Sequence, residues 1–337
     1  MSEQQKVVWA EGLFLGQQHF QLWDKGLRHD YQQRSRLLNP HCWGLVSLSL
    51  TREALNNGQC RVEAVTAVLP DGRLVRFDAG ERGQALTCEL ADGGDQVDVW
   101  LALPANDRVG GINGYHEQGR LCGWQADYRD IADEHDPSRS REVILAQPNL
   151  TLLRSDQSRD QYSTLCIGRF EHQGDGQYRA LEPFIPPAVN LAASPMLRSW
   201  AVRIRDLLAA RVRQLSQQRN SYGDLADMGA RETGQFLRLL QLRPALATLE
   251  HLLSQDGTHP ETLYRESVRL LNGLCDFQAD QSDLDLPEYR HGDLTTVFTT
   301  LETRLRDFLA EAAPTPSTAL TLRDESPAVR IAEGVPW

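Results

Sequence analysis

Pro183-Phe184-Ile185-Pro186-Pro187 divides the chain, because the apolar side chains recur every two residues before it and about every 3.6 residues after it. Three prolines in five residues end a β region, since proline has no amide to donate to a sheet ladder and biases its predecessor towards extended backbone. Working back towards the N-terminus, the alternation begins at Gly44, where Val46, Leu48 and Leu50 face one way and Ser47 and Ser49 the other. Val62, Ala64, Thr66 and Val68 continue it, Pro70-Asp71-Gly72 supplies a turn, and Leu74–Phe77 returns as the hairpin partner. Further strands are expected at Ala85–Leu90, Gln96–Leu103, Glu142–Gln147, Leu150–Arg154, Leu165–Phe170 and Tyr178–Leu181, with Gly174-Asp175-Gly176 closing the last hairpin. Short strands separated by turns, without helices between them, specify an antiparallel sandwich or barrel. One interruption, Asn106–Arg141, reads either as a disordered excursion or as a partner-binding loop.

Beyond about Ala188 the period stays helical. Ser194-Pro195 provides an N-cap and a first-turn proline for a helix over about Pro195–Arg219, striped by Leu197, Ala201, Ile204, Leu208, Val212 and Leu215. Ala226–Ser254 is a second helix, in which Pro244 predicts a kink or break near Leu242. Thr258-His259-Pro260-Glu261 has capping-box spacing, with Thr258 accepting from the Glu261 amide, for a third helix over about Pro260–Phe277. Asp293 caps a fourth, whose Leu294, Phe298, Leu301, Leu305 and Phe308 step four, three, four, three, the spacing of a heptad seam. One narrow seam per helix stabilises nothing alone, so the stripes must meet in a bundle within or between subunits. The fold class is therefore β plus α: an antiparallel β domain (1–187) with an N-terminal helix, a helical bundle (188–313), and a linker opening at Pro314 (314–337).

Val7–Asp24 breaks the pattern. Trp9, Phe14, Phe20 and Trp23 crowd together with Glu11, Gln18 and His19, and Gly12 and Gly16 mark turns. From Gln17 to Leu38 the positions Phe20, Trp23, Leu27, Tyr31 and Leu38 predict a helix, stopped by Asn39-Pro40, with Lys25, Arg28, Gln32 and Arg36 on its polar face. By period alone this stretch is a packed strand-to-helix lead-in; the competing reading is a binding edge.

Composition narrows the function. With 41% apolar and 24% charged residues in 337, the chain can build two cores, and its net charge of -11 opposes general nucleic-acid binding. The six cysteines lack any Cys-x-x-Cys pair, which suits free thiols in a reducing cytosol. The first residues have no signal-peptide core, and no apolar run is long enough to span a bilayer, so a cytoplasmic protein without direct membrane insertion is expected. Nine histidines invite a search for catalytic sites, yet no His-Glu-x-x-His, Gly-x-Ser-x-Gly or phosphate-binding glycine loop occurs. His251, His259 and His291 read as capping or packing groups, Asp280, Asp283 and Asp285 as a solvated connection, and the arginines of the first bundle helix as a solvated or ion-paired surface. No enzyme, metal or cofactor is expected.

Several motifs, in order, resemble the TssK family of type VI secretion baseplate subunits. They are Val7-x-Trp9-x-Glu11-Gly12-x-x-Leu15 running into Gln18-His19-Phe20-Gln21, then Leu69-Pro70-Asp71-Gly72, Leu101-Ala102-Leu103-Pro104 and Phe184-Ile185-Pro186-Pro187. His259-Pro260-Glu261 with Leu263-Tyr264, Asn272-Gly273-Leu274, and Leu286-Pro287-Glu288-Tyr289 with His291 complete the series. Gly16-Gln17 and Arg243-Pro244 depart from the family's turns. The resemblance implies a homotrimeric adaptor, with a β-sandwich shell attached to the TssF–TssG wedge, a helical neck, and a C-terminal head on the TssJ–TssL–TssM membrane complex, through TssL and TssM. It places the protein at the inner face of the cell envelope when assembled. The head is expected to be missing, with 314–337 its start. A phage-type receptor-binding or tail adaptor on the same shell is the alternative. Two interfaces follow as expectations: Trp9, Glu11, Phe14, Gln18, His19, Phe20 and Trp23 at an edge shared with a neighbouring subunit or the wedge, and Leu294, Phe298, Leu301, Leu305 and Phe308 as the trimer seam of the neck.

Overall fold

The structure is a computed structural model and describes residues 6–91, 94–105, 111–115, 121–220, 228–275, 277, 286–309, 322–326 and 329–332. Helix α1 (Gln17–Leu38) leads into β1 (Gly44–Leu50), a one-turn α2 (Arg52–Leu55), β2 (Gln59–Val68), β3 (Leu74–Asp78), a one-turn α3 (Ala79–Arg82) and β4 (Leu86–Glu89). Then come β5 (Gln96–Pro104), β6 (Ile112–Asn113), β7 (Trp124–Ala132), β8 (Ser140–Pro148), β9 (Thr151–Arg154), β10 (Tyr162–Gly174) and β11 (Gln177–Ala180). The bundle follows as α4 (Pro195–Asn220), α5 (Ala230–Ser254), α6 (Pro260–Cys275) and α7 (Leu294–Leu309), and a hairpin of β12 (Leu322–Ser326) and β13 (Val329–Ala332) comes last.

Two antiparallel sheets make the sandwich. In one, β2 pairs with β1 on one edge and with β3 and β4 in succession on the other; the second has the order β11-β10-β5-β9. Alternate residues of β2 and β3 (Val65, Ala67, Val75, Phe77) bury against alternate residues of β5 and β10 (Val97, Val99, Leu101, Leu165), which is why the two-residue period was readable. Arg73 pins the sheets together at one end. Its guanidinium pairs with Asp71 at 2.6 Å and donates to the Pro104 carbonyl at 2.9 Å, so a buried charge is matched on both sides.

Two expectations about this domain are corrected. One-turn helices do interrupt the strands, at Arg52–Leu55 and Ala79–Arg82. Nor is Asn106–Arg141 a loop throughout: β7 and β8 pair in register from Trp124 opposite Pro148 to Ala132 opposite Ser140, and β6 adds in parallel beside Trp124. Nine residues per strand extend roughly 30 Å. Tyr128, Ile131, Val143, Ile144 and Leu145 remain exposed on this arm, which therefore has no buried face to generate a clean sequence period.

In the bundle, Ser194 Oγ accepts the Leu197 amide and Asp293 Oδ1 the Thr296 amide, the two caps expected from sequence. The α6 cap differs. Thr258 turns inward and donates to the Leu252 carbonyl at 2.8 Å, while His259 Nδ1 accepts the Glu261 amide at 3.1 Å. Of the kink or break expected near Leu242, the break does not occur: α5 is helical from Ala230 to Ser254 with Pro244 inside it. Pro244 and Leu240 both face solvent, so water can serve the carbonyl that proline leaves without a donor, while buried Leu239, Leu242 and Leu249 hold the helix on either side. Arg203 of α4 and Arg306 of α7 both pair with Glu302, fastening α4 to α7, and Arg203 is thus one of the α4 arginines that is ion-paired.

The heptad seam of α7 is also redirected. Leu294, Phe298, Leu301 and Leu305 are buried within this one chain, with Phe298 edge-on to Trp200 at 4.8 Å, and Phe308 packs half-buried on the same cluster. Four helices of a single subunit fill the seam, so it closes inside the subunit rather than presenting a face to a second one. The Asp280–Asp285 connection lies outside the described residues, as does most of 314–337.

Sandwich and bundle meet along 185–193. Leu45 donates to the Pro187 carbonyl and Val189 donates back to the Leu45 carbonyl, so the exit segment lies against β1 as a short parallel bridge. Gly44 makes this possible: its φ is 128°, and a Cβ there would stand 2.6 Å from the Ala188 nitrogen. Ile185 and Leu191 then enter the bundle core, while Ala188 and Ala193 belong to the sandwich core.

Gly44→Ala is expected to lower unfolding stability by at least about 2 kcal/mol, read from urea melts, because it combines a disallowed φ with a backbone clash. Leu301→Asp, which buries an unpaired carboxylate at the bundle centre, should lower helix content and melting temperature by circular dichroism before any change in oligomeric mass, the effect being on the order of 4 kcal/mol.

Candidate functional site

Helix α1 forms where sequence places it, but it sits with its amphipathicity turned outwards. Gly16 has no side chain with which to cap the helix; instead His19 Nδ1 reaches back to accept the Gly16 amide at 3.1 Å. Asn39 ends the helix, its amide bonded to the Ser35 carbonyl and its side chain accepting the His41 amide. What touches the rest of the chain is the polar face. Arg36 donates to the Pro70 carbonyl at 2.7 Å, Gln32 lies over Gly72, where a Cβ would come 3.3 Å from Gln32 Cγ, and the Arg28 guanidinium stands 5.8 Å from the Trp124 ring. Asp24 pairs with Arg28 at 2.6 Å and holds it there.

The opposite face is aromatic and open. Phe14 is 92% exposed, Trp23 52% and Leu38 88%, with Phe20, Leu27 and Tyr31 exposed between them. No residue of α1 is buried. Trp9 folds back onto the first turns, its ring 6.3 to 6.4 Å from those of His19, Phe20 and Trp23, so these side chains form one cluster. Glu11 and Gln18 lie exposed beside it. The packed strand-to-helix lead-in is therefore corrected: residues 7–10 form no strand, and the stripe that periodicity would place in a core is on the surface. Next to α1 stands the β7–β8 arm, anchored at its base by Asn149, which bonds to Cys122 and Gly123, and by Arg82, which donates to the Pro148 carbonyl. Helix and arm each leave several large apolar side chains exposed, among them Phe20, Trp23, Leu27 and Tyr31 on the helix and Tyr128, Ile131 and Ile144 on the arm.

Of the histidines read as capping or packing groups, His259 and His291 fall at the junction of sandwich and bundle, while His251 lies exposed in the last turn of α5. His291 is 3% exposed; its Nε2 donates to the Trp43 carbonyl at 2.7 Å and its Nδ1 accepts the Tyr289 hydroxyl at 2.7 Å. His259 Nε2 donates to the His41 carbonyl at 2.9 Å. The rings of His41 and His259 stack on His291, each at 5.3 Å. Burial pushes the His291 imidazole down to about 4 and also lowers that of His259, although the Trp43 and His41 carbonyls partly offset this. Sequence reasoning treated these residues singly; the spacing of 218 to 250 residues between the loop at His41 and its partners hid their contact.

Burial drives the Cys60 and Cys166 thiols up to about 12, so both stay protonated and unreactive. Among the described residues no group of three His, Cys, Asp or Glu side chains is placed to hold a metal ion, and no helix is long and apolar enough to cross a membrane.

Comparison with known proteins accords with this geometry. The sequence profile of the bacterial type VI secretion family described as VC_A0110, EvfL, ImpJ, VasE matches residues 19–335. TssK1 of Pseudomonas aeruginosa, a type VI secretion system baseplate component, is 31% identical over 342 residues, covering 98% of this chain and 75% of that protein. A crystal structure of TssK superposes with a TM-score of 0.83 at 26% identity, over 97% of this chain and 74% of that one. TssK in a TssK-TssF-TssG baseplate subcomplex, seen by cryo-electron microscopy, gives a TM-score of 0.78 at 27% identity, over 90% of this chain and 98% of that one. With its sandwich, bundle and outward-facing helix all within the matched span, the chain belongs to the VasE/TssK family of bacterial type VI secretion proteins.

Proposed function

We propose that this baseplate component is a homotrimeric adaptor whose β shell (1–187) grips the TssF–TssG wedge and whose helical neck (188–313) sets its distance from the cell envelope. The observation that carries the reading is the outward stripe of α1. A helix that turns Arg28, Gln32 and Arg36 towards its own domain, and Phe20, Trp23, Leu27 and Tyr31 away from it, requires another chain to cover those side chains. Stable interfaces bury roughly 1,200–2,000 Å² and draw most of their energy from a few aromatic anchors, and Trp9, Phe14, Phe20 and Trp23, flanked by Glu11, Gln18 and His19, are of that type. Relatives solved as a TssK-TssF-TssG subcomplex support the wedge as partner.

With the α7 seam closed inside one subunit, contacts between necks fall to the exposed leucines of α4 and α5, Leu207, Leu237 and Leu240. The adaptor works in the cytoplasm at the inner face of the envelope, and its attachment to TssL and TssM of the membrane complex is assigned to the C-terminal head of the family. No nucleic acid, cofactor or inserted membrane segment takes part.

Multi-angle light scattering over a wide concentration range should return three times the chain mass; a monomer at every concentration overturns the trimer. Phe14→Ala with Phe20→Ala should weaken capture by co-purified TssF–TssG about tenfold per anchor, while the melting temperature moves by only a few degrees. Loss of mass in the same variant assigns the stripe to subunit contact, and unchanged mass with lost capture assigns it to the wedge. Outright unfolding would return these side chains to a structural role.

A further inference from the structure

We propose that the His41–His291–His259 stack is a proton-operated joint, which clamps the helical neck to the β shell while His259 and His291 are neutral and releases the neck when these two take up protons. The inference rests on geometry at the junction and is independent of what the shell binds.

Three segments distant in sequence meet in the stack: the loop between α1 and β1 (His41, Trp43), the start of α6 (His259) and the turn before α7 (Tyr289, His291). Two hydrogen bonds cross from neck to shell, His291 Nε2–H to the Trp43 carbonyl and His259 Nε2–H to the His41 carbonyl. Each needs its proton on Nε2, and the other nitrogen of each ring is already an acceptor. His259 Nδ1 accepts a backbone amide, that of Glu261, which can never be anything but a donor. A second proton on His259 therefore sets N–H against N–H and breaks the α6 cap. Tyr289 can rotate its hydroxyl away from His291, but an imidazolium there would lie 3% exposed between two further histidine rings. The Trp43 ring closes the stack from the shell side, 4.8 Å from His291, with Gly292 beneath it.

The surrounding charges do little to welcome a cation. From α6, Glu261 favours a positive His259, yet burial outweighs it; His41 from the shell loop disfavours charge on both other rings. Tyr264 of α6 bonds to the Pro287 carbonyl and Tyr289 is pushed to higher values by its own burial, so neither supplies a negative charge. Glu288 is exposed and faces Arg290. With His291 at about 4 when clamped and near 6.5 when released, the neutral form belongs to the closed joint. The clamp is complete above pH 6.5 and weakens as the pH falls from there through 4. His291 alone then multiplies the open population about 20-fold between pH 7 and pH 5.

Family-pattern residues that the baseplate reading leaves unused, His259-Pro260-Glu261 and Pro287-Glu288-Tyr289 with His291, thereby acquire a shared role in setting the angle of the neck on the shell.

Hydrogen exchange on the full chain, corrected for intrinsic rates, tests this at the amides of Leu45, bonded to the exit segment at Pro187, and Ile185, bonded from that segment to Thr295 of α7. Their protection should fall about 20-fold from pH 7 to pH 5, while Leu101 in the sandwich core keeps its protection. His291→Gln, which retains a donor for Trp43 without a titrating ring, should flatten the profile. Tyr289→Phe, which removes the hydroxyl that favours neutral His291, should move the midpoint to higher pH, and it serves alone if the glutamine variant does not fold. Equal loss at Leu101, an unaltered profile in His291→Gln, or an unshifted midpoint in Tyr289→Phe overturns the proposal.

Discussion

The close approach of Gly44 to the Pro187–Ala188 backbone is the constraint on which the rest of the molecule depends. A positive φ at Gly44 lets β1 begin flush against the departing chain, and the reciprocal bonds of Leu45 with Pro187 and Val189 then hold that chain parallel to the strand. Because direction is set there, Ile185 and Leu191 point into the bundle while Ala188 and Ala193 remain with the sandwich. Small side chains on one side and branched ones on the other let two cores share a single stretch of backbone. The histidine stack lies against the same junction, and its hydrogen bonds to the carbonyls of His41 and Trp43 brace the loop that delivers Gly44.

Surface chemistry follows a different logic. In an ordinary amphipathic helix the hydrophobic effect turns the apolar stripe inward, at about 25 cal/mol for each Å² removed from water. Helix α1 forgoes this within its own chain and is positioned instead by Arg36 on Pro70, Gln32 over Gly72 and Arg28 beside Trp124. Contacts of that kind contribute little individually, about 1 kcal/mol or less. The apolar side chains of α1 thus stay in water, as do Tyr128, Ile131, Val143, Ile144 and Leu145 of the β7–β8 arm.

Sequence by itself determined the elements whose signal is local. The bounds of α1, the cap residues Ser194 and Asp293, the glycine hairpin before β11 and the switch of period at Pro183–Pro187 each depend on neighbours a few residues away, and each appears where those neighbours put it. The TssK-like motifs around Trp9, Pro70, Pro186 and His291 likewise pointed to the family before any coordinate did. Tertiary structure alone decided which surfaces are open. The α7 heptad and the α1 stripe have the same kind of periodicity, yet one packs against α4 and α6 in the bundle core and the other faces solvent. Periodicity says that a face is apolar, not what covers it. The cap of α6 went to His259 because Thr258 was drawn to the Leu252 carbonyl, and the stack of His41, His259 and His291 joins residues about 220 to 250 positions apart, a separation at which no local pattern survives.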